Sequence, residues 1–418
     1  MGTQPPLCSF CDSRDMSLIM DFGDVALAGA FIRPEQRETE KKYRLRLFFC
    51  TACYAVQVVD KVSAEVLFQD YFYFSSSIGT LRDHFARYAE EVTSRFLEPD
   101  TATVLEFGCN DGILLRPLAD QGIRRVIGVD PAENVLATID DPRLTLINGF
   151  FDEAVAERVV AEWGRVDMIM ANNVYAHVPD IQGITRAIDM ALADDGVFVF
   201  EAHYLGKVVD EIQYDMVYHE HLYYYSLLSA INHFARYDMM VFDVIPIPIH
   251  AGSLRFHVCR KGSRHASESP RVVALKKEEQ ARGFDSFATF GEFSRRVAAQ
   301  RDELVALLEG LRQDGRSIAG YGASGRANTI IQFCGLDARH LDYMIDDAPA
   351  KQGFLTPGSH FPIHASSVLE QPDRPDYVLV FAWSFFEEIC ARNANYLENG
   401  GRMILPLPDV QVFPPEHS

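Results

Sequence analysis

From Thr103 to Pro131 the chain reads TVLEFGCNDGILLRPLADQGIRRVIGVDP: an apolar strand, a glycine-bearing turn, an amphipathic helix and a second apolar strand. Two strands joined through a helix pair in parallel, so this stretch commits the chain to an open α/β sheet with helices on its faces. Gly108 and Gly112 let the backbone approach a ligand at the strand end and let the helix start against the sheet. Asp130 closes the second strand, where a carboxylate accepts ribose hydroxyls, at the spacing of about twenty residues usual for that partner.

The turn itself, E-F-G-C-N-D-G from Glu106 to Gly112, has the E/D-x-G-x-x-x-G form usual for S-adenosylmethionine (SAM) rather than the G-x-G-x-x-G that cradles a pyrophosphate. Downstream, VDMIMANNVYAHVPD reads as a fourth strand and ALADDGVFVFEAHY as the helix end and fifth strand that follow. The order predicts a class I SAM methyltransferase domain of Rossmann-like fold, with Glu106, Gly108, Asn110, Gly112, Asp130 and Asn173 as cofactor contacts.

Cys8 and Cys11 form one C-x-x-C, and Cys50 and Cys53 a second, separated by the strand-like run Tyr43 to Phe49. Two such knuckles supply four thiolates for a structural zinc ion with no open position for chemistry. A segment this small buries too little apolar surface to fold without a metal. The remaining Cys109, Cys259, Cys334 and Cys390 stand among apolar neighbours and read as buried bystanders.

At 418 residues the chain is long enough for two or three domains. Its net charge of -20 argues against a protein that tracks nucleic-acid phosphates, which needs a basic face. Neither a secretion signal nor an apolar run of membrane-spanning length is visible, which points to a cytoplasmic protein with no membrane partner; no protein partner is evident either.

Past the fifth strand, Tyr214 to Ser226 reads YDMVYHEHLYYYS, a density of titratable and aromatic side chains poorly suited to a plain core. The two His flanking Glu220 lack the three- or four-residue spacing of a helical metal pair. A general base with hydrogen-bonding neighbours fits better, the alternative being a satisfied polar cluster at a domain junction. His177, in the loop after the fourth strand, belongs to the same C-terminal edge of the sheet, where ligands bind in open α/β folds.

After a polar helical stretch from about 265 to 300, SIAGYGASGRANTIIQFCGL begins a second strand, glycine turn and helix. Gly320, Gly322 and Gly325 form G-x-G-x-x-G, the helix start offers free N–H groups to a phosphate, and Ser324 and Arg326 add a hydroxyl and a guanidinium. LDYMIDDAP, PDYVLVFAW and GRMILPLP read as further parallel strands of that sheet. The alternative is a degenerate fold without a ligand.

These motifs, in this order, resemble the sugar C-methyltransferases that act on TDP-linked keto-deoxysugars, of which the tetronitrose 3-C-methyltransferase is a type. The resemblance covers nearly the whole chain: both C-x-x-C knuckles, YFYFSSSIGTLRDHF, LEFGCNDGILL, the Asn173/His177 pair, VFVFEAHYLG, the Tyr218, Glu220 and His221 set, GYGASGRAN and DDAPAKQGFLTPGSHFPI. It implies a zinc module over 1–75, a SAM-binding methyltransferase domain over 76–262 and a Rossmann-like α/β domain over 263–418 that helps bind the nucleotide sugar. It also implies His221 as general base, with Tyr218, Glu220 and His177 around the sugar, and Tyr73, Tyr218, Gly322, Ser324 and Arg326 as substrate contacts; Glu220, next to His221 in the chain, is expected to orient its ring. One departure is Arg326, where the family turn often carries Lys. The reaction expected is SAM-dependent methylation of carbon 3 of a TDP-4-keto-deoxysugar through an enolate. The alternatives are an O-methyltransferase of a nucleotide sugar, an oxidoreductase using the second glycine turn for NAD with Asp346 or Asp347 as its acid, and a zinc-bearing scaffold without activity.

Overall fold

The computed structural model describes residues 6–63, 66–67, 76, 79–249 and 251–415, in three sheets. In the first, β1 (Met16–Ala26), β2 (Lys42–Cys50) and β3 (Val56–Val58) pair antiparallel in sequence order. The run expected as a strand lies inside β2, whose last four residues are buried.

The second sheet is built from β4 (Thr103–Phe107), β5 (Arg125–Asp130), β6 (Leu144–Asn148), β7 (Val166–Asn172) and β8 (Leu192–His203), all parallel. The short β9 (Tyr223–Tyr224) leaves this region and pairs with β3, so the first sheet is completed by a strand from the middle of the chain. Then β10 (Met239–Ile247) and β11 (Ser253–Arg260) extend the second sheet antiparallel beyond β8, in the order β6-β5-β4-β7-β8-β11-β10. Every residue of β4 is buried, as expected of a central parallel strand covered on both faces. Flanking helices start on side-chain caps: Asp152 accepts from Val155 N–H (2.8 Å) ahead of Glu153–Trp163, and Asp180 accepts from Gly183 N–H (2.9 Å) ahead of Ile181–Ala191. The strand order reverses between β4 and β7, which opens a crevice at their C-terminal ends.

Two helices, Pro270–Ala281 and Phe287–Gln313, lead to the third sheet. Its strands are β12 (Ile318–Tyr321), β13 (Met344–Ile345), β14 (Ile363–His364), β15 (Tyr377–Val380), β16 (Arg402–Leu405) and β17 (Gln411–Phe413), ordered β14-β13-β12-β15-β16-β17. The three segments read as parallel strands are β13, β15 and β16. The two-residue β14 and the antiparallel β17 are too short to leave a periodic signal in sequence.

The N-terminal module bonds directly to the helix and loops that flank the third sheet. Ala26 N–H donates to Gln332 Oε1 (2.8 Å), and Glu40 accepts from Gly358 N–H (2.9 Å) and pairs with His360 Nε2 (2.8 Å). No helix among the described residues is long and apolar enough to cross a membrane.

Candidate active site

The four N-terminal cysteines converge. Cys8 Sγ lies 3.6 Å from Cys53 Sγ and Cys11 Sγ 3.6 Å from Cys50 Sγ, with all four sulfurs within 4.8 Å of one another. A disulfide needs about 2.05 Å. Tetrahedral zinc with bonds of about 2.3 Å sets sulfurs about 3.8 Å apart, so the cluster fits the metal. Gln57 Nε2 donates to Cys8 Sγ (3.0 Å) while its Oε1 accepts from Ser9 N–H (2.8 Å), which fixes the first knuckle against β3. The other four cysteines are buried apart, and burial pushes the Cys259 and Cys390 thiols up to about 11.

At the crevice of the second sheet, Gly108 has φ +67° and a Cβ there would collide with Val174, so the turn requires glycine. Asp130 Oδ2 accepts from Asn110 N–H and Oδ1 from Ala132 N–H, both at 2.9 Å; burial raises its pKa. Glu106 is buried and receives Asn172 Nδ2 at 2.9 Å, and burial pushes its pKa up to about 8. Three buried acceptor atoms here, Glu106 Oε2, Asn172 Oδ1 and Asp111 Oδ1, have no partner. Acceptors lacking donors suit a ligand that brings hydroxyls and a positive charge, as SAM does. Asn173 also lies at this edge, with φ +55° and its N–H on Glu201 O (2.9 Å). Asn172 and Asp111 are candidate contacts that motif reading passed over, although both lie inside the quoted strings.

The loop after β8 places His221 above the same edge. Its Nδ1 lies 2.8 Å from Met216 O and its Nε2 2.8 Å from Tyr218 Oη. The His177 ring stands edge-on, 4.8 Å away between centroids. Burial, reinforced by His177, holds the His221 imidazole well below its usual pKa. Glu220 is raised to about 7 by burial alone. The two ring nitrogens of His221 are engaged by Met216 and Tyr218, so the neighbouring Glu220 does not orient that ring, contrary to what adjacency in sequence suggests. Among the described residues the four cysteines are the one group of three or more side chains that could hold a metal ion, and His219 Nε2 lies against Arg44 O (3.1 Å).

The third sheet brings Arg326 to this place. Its Nε donates to the fully buried Asp215 (2.8 Å), its guanidinium lies 4.8 Å over the Trp383 ring, and Trp383 Nε1 donates to the same carboxylate oxygen (2.8 Å). One Arg326 nitrogen, Nη2, is buried without a partner. Arg326 also contributes to depressing His221, which places its charge near the imidazole. Ser324 Oγ accepts from Ala327 N–H (3.2 Å) and so caps the helix Gly325–Phe333. Asp215 and Trp383 lie in strings read for other residues, the histidine-rich segment and a strand, and sequence reading assigned them no role. Asp346 is tied to Lys351 and Asp347 to Arg392 and Tyr321. Tyr73 lies outside the described residues.

Comparison with known proteins matches this architecture. Family models fit residues 8–68 as a zinc binding domain, 81–241 as a methyltransferase domain and 248–408 as a C-methyltransferase C-terminal domain. The C-methyltransferase NovU of Streptomyces niveus is 31% identical over 410 residues, covering 98% of this chain and 97% of that protein. A ubiquinone biosynthesis O-methyltransferase of Methylobacterium sp. (strain 4-46) is 32% identical over 97 residues, 23% of this chain and 39% of its own length. Among solved structures, the magnesium protoporphyrin IX methyltransferase of Synechocystis PCC 6803 with bound SAM is similar over 43% of this chain and 78% of its own, at 13% identity and TM-score 0.31. The fold and the crevice define a class I SAM methyltransferase with a zinc-binding N-terminal domain. The chain belongs to the C-methyltransferase family represented by NovU. Its cofactors are SAM and zinc, and the four-cysteine cluster fits the metal.

Proposed function

We propose that the enzyme methylates carbon 3 of a TDP-linked 4-keto-deoxysugar, with His221 removing the proton from that carbon. The observation that supports this most is the setting of His221. A carbonyl oxygen only accepts, so Met216 O requires the proton on Nδ1; Nε2 then carries the lone pair, next to Tyr218 Oη. An imidazole kept neutral by burial and aimed at the ligand edge is a base in its working form.

The hydrogen on carbon 3 is acidic only because its loss gives an enolate delocalised onto the carbon 4 oxygen. Nε2 accepts from Tyr218 Oη until the substrate enters; once that bond is exchanged, His221 Nε2 takes the carbon 3 proton, and the released Tyr218 O–H or His177 donates to the developing oxyanion. SAM, when bound beside Glu106 and Asp130, supplies the methyl group, and two substrates held face to face replace an encounter from solution. In this reading the turn of Gly322 and Ser324, with Arg326, receives the nucleotide diphosphate, the guanidinium being held for it by Asp215 and Trp383. The zinc site is closed by four thiolates and acts on structure only.

Incubation with SAM and a panel of TDP-4-keto-deoxysugars, followed by product NMR, tests the assignment. A new methyl on carbon 3 supports it. A methyl on oxygen moves the reading to an O-methyltransferase of the same substrate class.

A further inference from the structure

Three parts of the chain meet behind Tyr218: the N-terminal module, the loop that carries His221, and the helix Gly325–Phe333. Each pair of them is bonded directly. His219 Nε2 lies 3.1 Å from Arg44 O in β2, and Thr329 Oγ1 donates to Val217 O (3.1 Å). Gln332 holds Ala26 at the end of β1 from both sides, its Oε1 accepting the N–H (2.8 Å) and its Nε2 donating to the carbonyl (3.2 Å). The packing is close, since a Cβ on Gly325 would lie 3.3 Å from that of Ala28 and 3.8 Å from the Tyr218 ring.

A cavity of about 10 Å³ remains at this junction, walled by Tyr218, His219, Asn328 and Gln332 with the apolar Phe22 and Val25. It has room for one water and nothing larger. Two of its polar side chains present the same chemistry. A carbonyl only accepts, so Arg44 O requires the His219 proton on Nε2 and leaves the lone pair on Nδ1. Asn328 Nδ2 donates to Ala26 O (3.4 Å), which turns its Oδ1 away from that carbonyl. His219 and Asn328 are 1% and 3% exposed, and neither His219 Nδ1 nor Asn328 Oδ1 has a hydrogen-bond partner among the described residues. Two acceptors cannot satisfy each other, whereas a water molecule brings a proton for each.

We infer that this cavity is a water site, in which one water donates to His219 Nδ1 and Asn328 Oδ1 and ties the loop of His221 to the helix Gly325–Phe333. His219 is then held at Nε2 by the N-terminal module and at Nδ1, through the water, by that helix. It acts as a positioning residue for Tyr218, which precedes it in the chain and walls the same cavity. The consequence for Tyr218 rests on the reading of Tyr218 and His221 as the reacting pair; the water site itself does not.

A crystal structure of the full zinc-loaded wild type, at a resolution that shows ordered water, reads the site directly. Density for one water within hydrogen-bonding distance of both His219 Nδ1 and Asn328 Oδ1 is expected. A dry cavity, or a water on only one of the two, overturns the inference. Asn328→Leu keeps about the same side-chain size and removes one of the two acceptors, so the water should leave. The saturating rate of deuterium exchange at carbon 3 of a TDP-4-keto-deoxysugar, with S-adenosylhomocysteine in place of SAM, should then fall about tenfold while KM for the sugar and S-adenosylhomocysteine affinity hold. His219→Phe, which keeps a ring and drops both nitrogens, should show the same fall and serves if the first variant does not fold. An unchanged saturating rate in either folded variant overturns the positioning role of His219. Absence of exchange in wild type instead removes the reading of His221 as base, and the density alone then decides the water site.

Discussion

Tyr218 Oη sits 2.8 Å from His221 Nε2, with the two rings 4.0 Å apart between centroids. The phenol donates to the imidazole lone pair, and exchange of that bond for the substrate frees the two partners side by side, one to take a proton from carbon and the other to support the oxygen that gains charge. Tyr218→Phe keeps the ring packing and removes only the donor. Turnover should fall by about tenfold to a thousandfold with SAM affinity unchanged, as when one oxyanion donor is lost. Stopped-time assays beside a SAM titration check this.

The pH profile carries two separate signatures. His221 lies below its usual pKa, so its neutral, proton-accepting form persists as pH falls, and its limb in kcat/KM belongs below about 6.5. Glu220 lies near 7, protonated below and ionised above. A limb near 7 in wild type should therefore vanish in Glu220→Gln while the lower limb stays. Retention of the limb near 7 in that variant assigns it to another group.

Asp130→Ala should weaken SAM binding at least about tenfold, since it removes the acceptor at the strand tip and releases Asn110 N–H from the turn. The thermal transition should move much less than the affinity, because the strand behind Asp130 stays packed. Calorimetric titration alongside a melt decides it.

Zinc loss should be felt by the sugar nucleotide rather than by SAM. The N-terminal module braces the segments around the third sheet through Ala26 with Gln332 and Glu40 with His360, whereas Glu106 and Asp130 bond to Asn172, Asn110 and Ala132, all outside that module. Metal analysis of wild type should give one zinc per chain, and Cys53→Ser should lower the content. In that variant KM for the sugar should rise while S-adenosylhomocysteine affinity holds.

Local motifs told much about the fold because they are contiguous. The strand, glycine turn and helix after Thr103, the paired C-x-x-C knuckles and the second turn at Gly320 each lie in one short string whose physical meaning is local. What stayed hidden depends on meetings between distant segments. Asp215 gains its role from Arg326 and Trp383, 111 and 168 residues away. The pairing of β9 with β3 follows from how the domains pack rather than from the two residues of β9. Glu220 shows the converse, since adjacency to His221 suggested a contact that the loop geometry gives to Met216 and Tyr218 instead.

The central claim is that His221 deprotonates carbon 3, and hydrogen exchange without methyl transfer tests it most directly. The measurement follows deuterium entering carbon 3 of the TDP-4-keto-deoxysugar in deuterated water, with S-adenosylhomocysteine in place of SAM. Wild type should exchange the carbon 3 hydrogen, and His221→Asn should do so about a hundredfold to ten-thousandfold more slowly while still binding the demethylated cofactor. Equal exchange by the two proteins would contradict the account and pass the role of base to His177 or Tyr218.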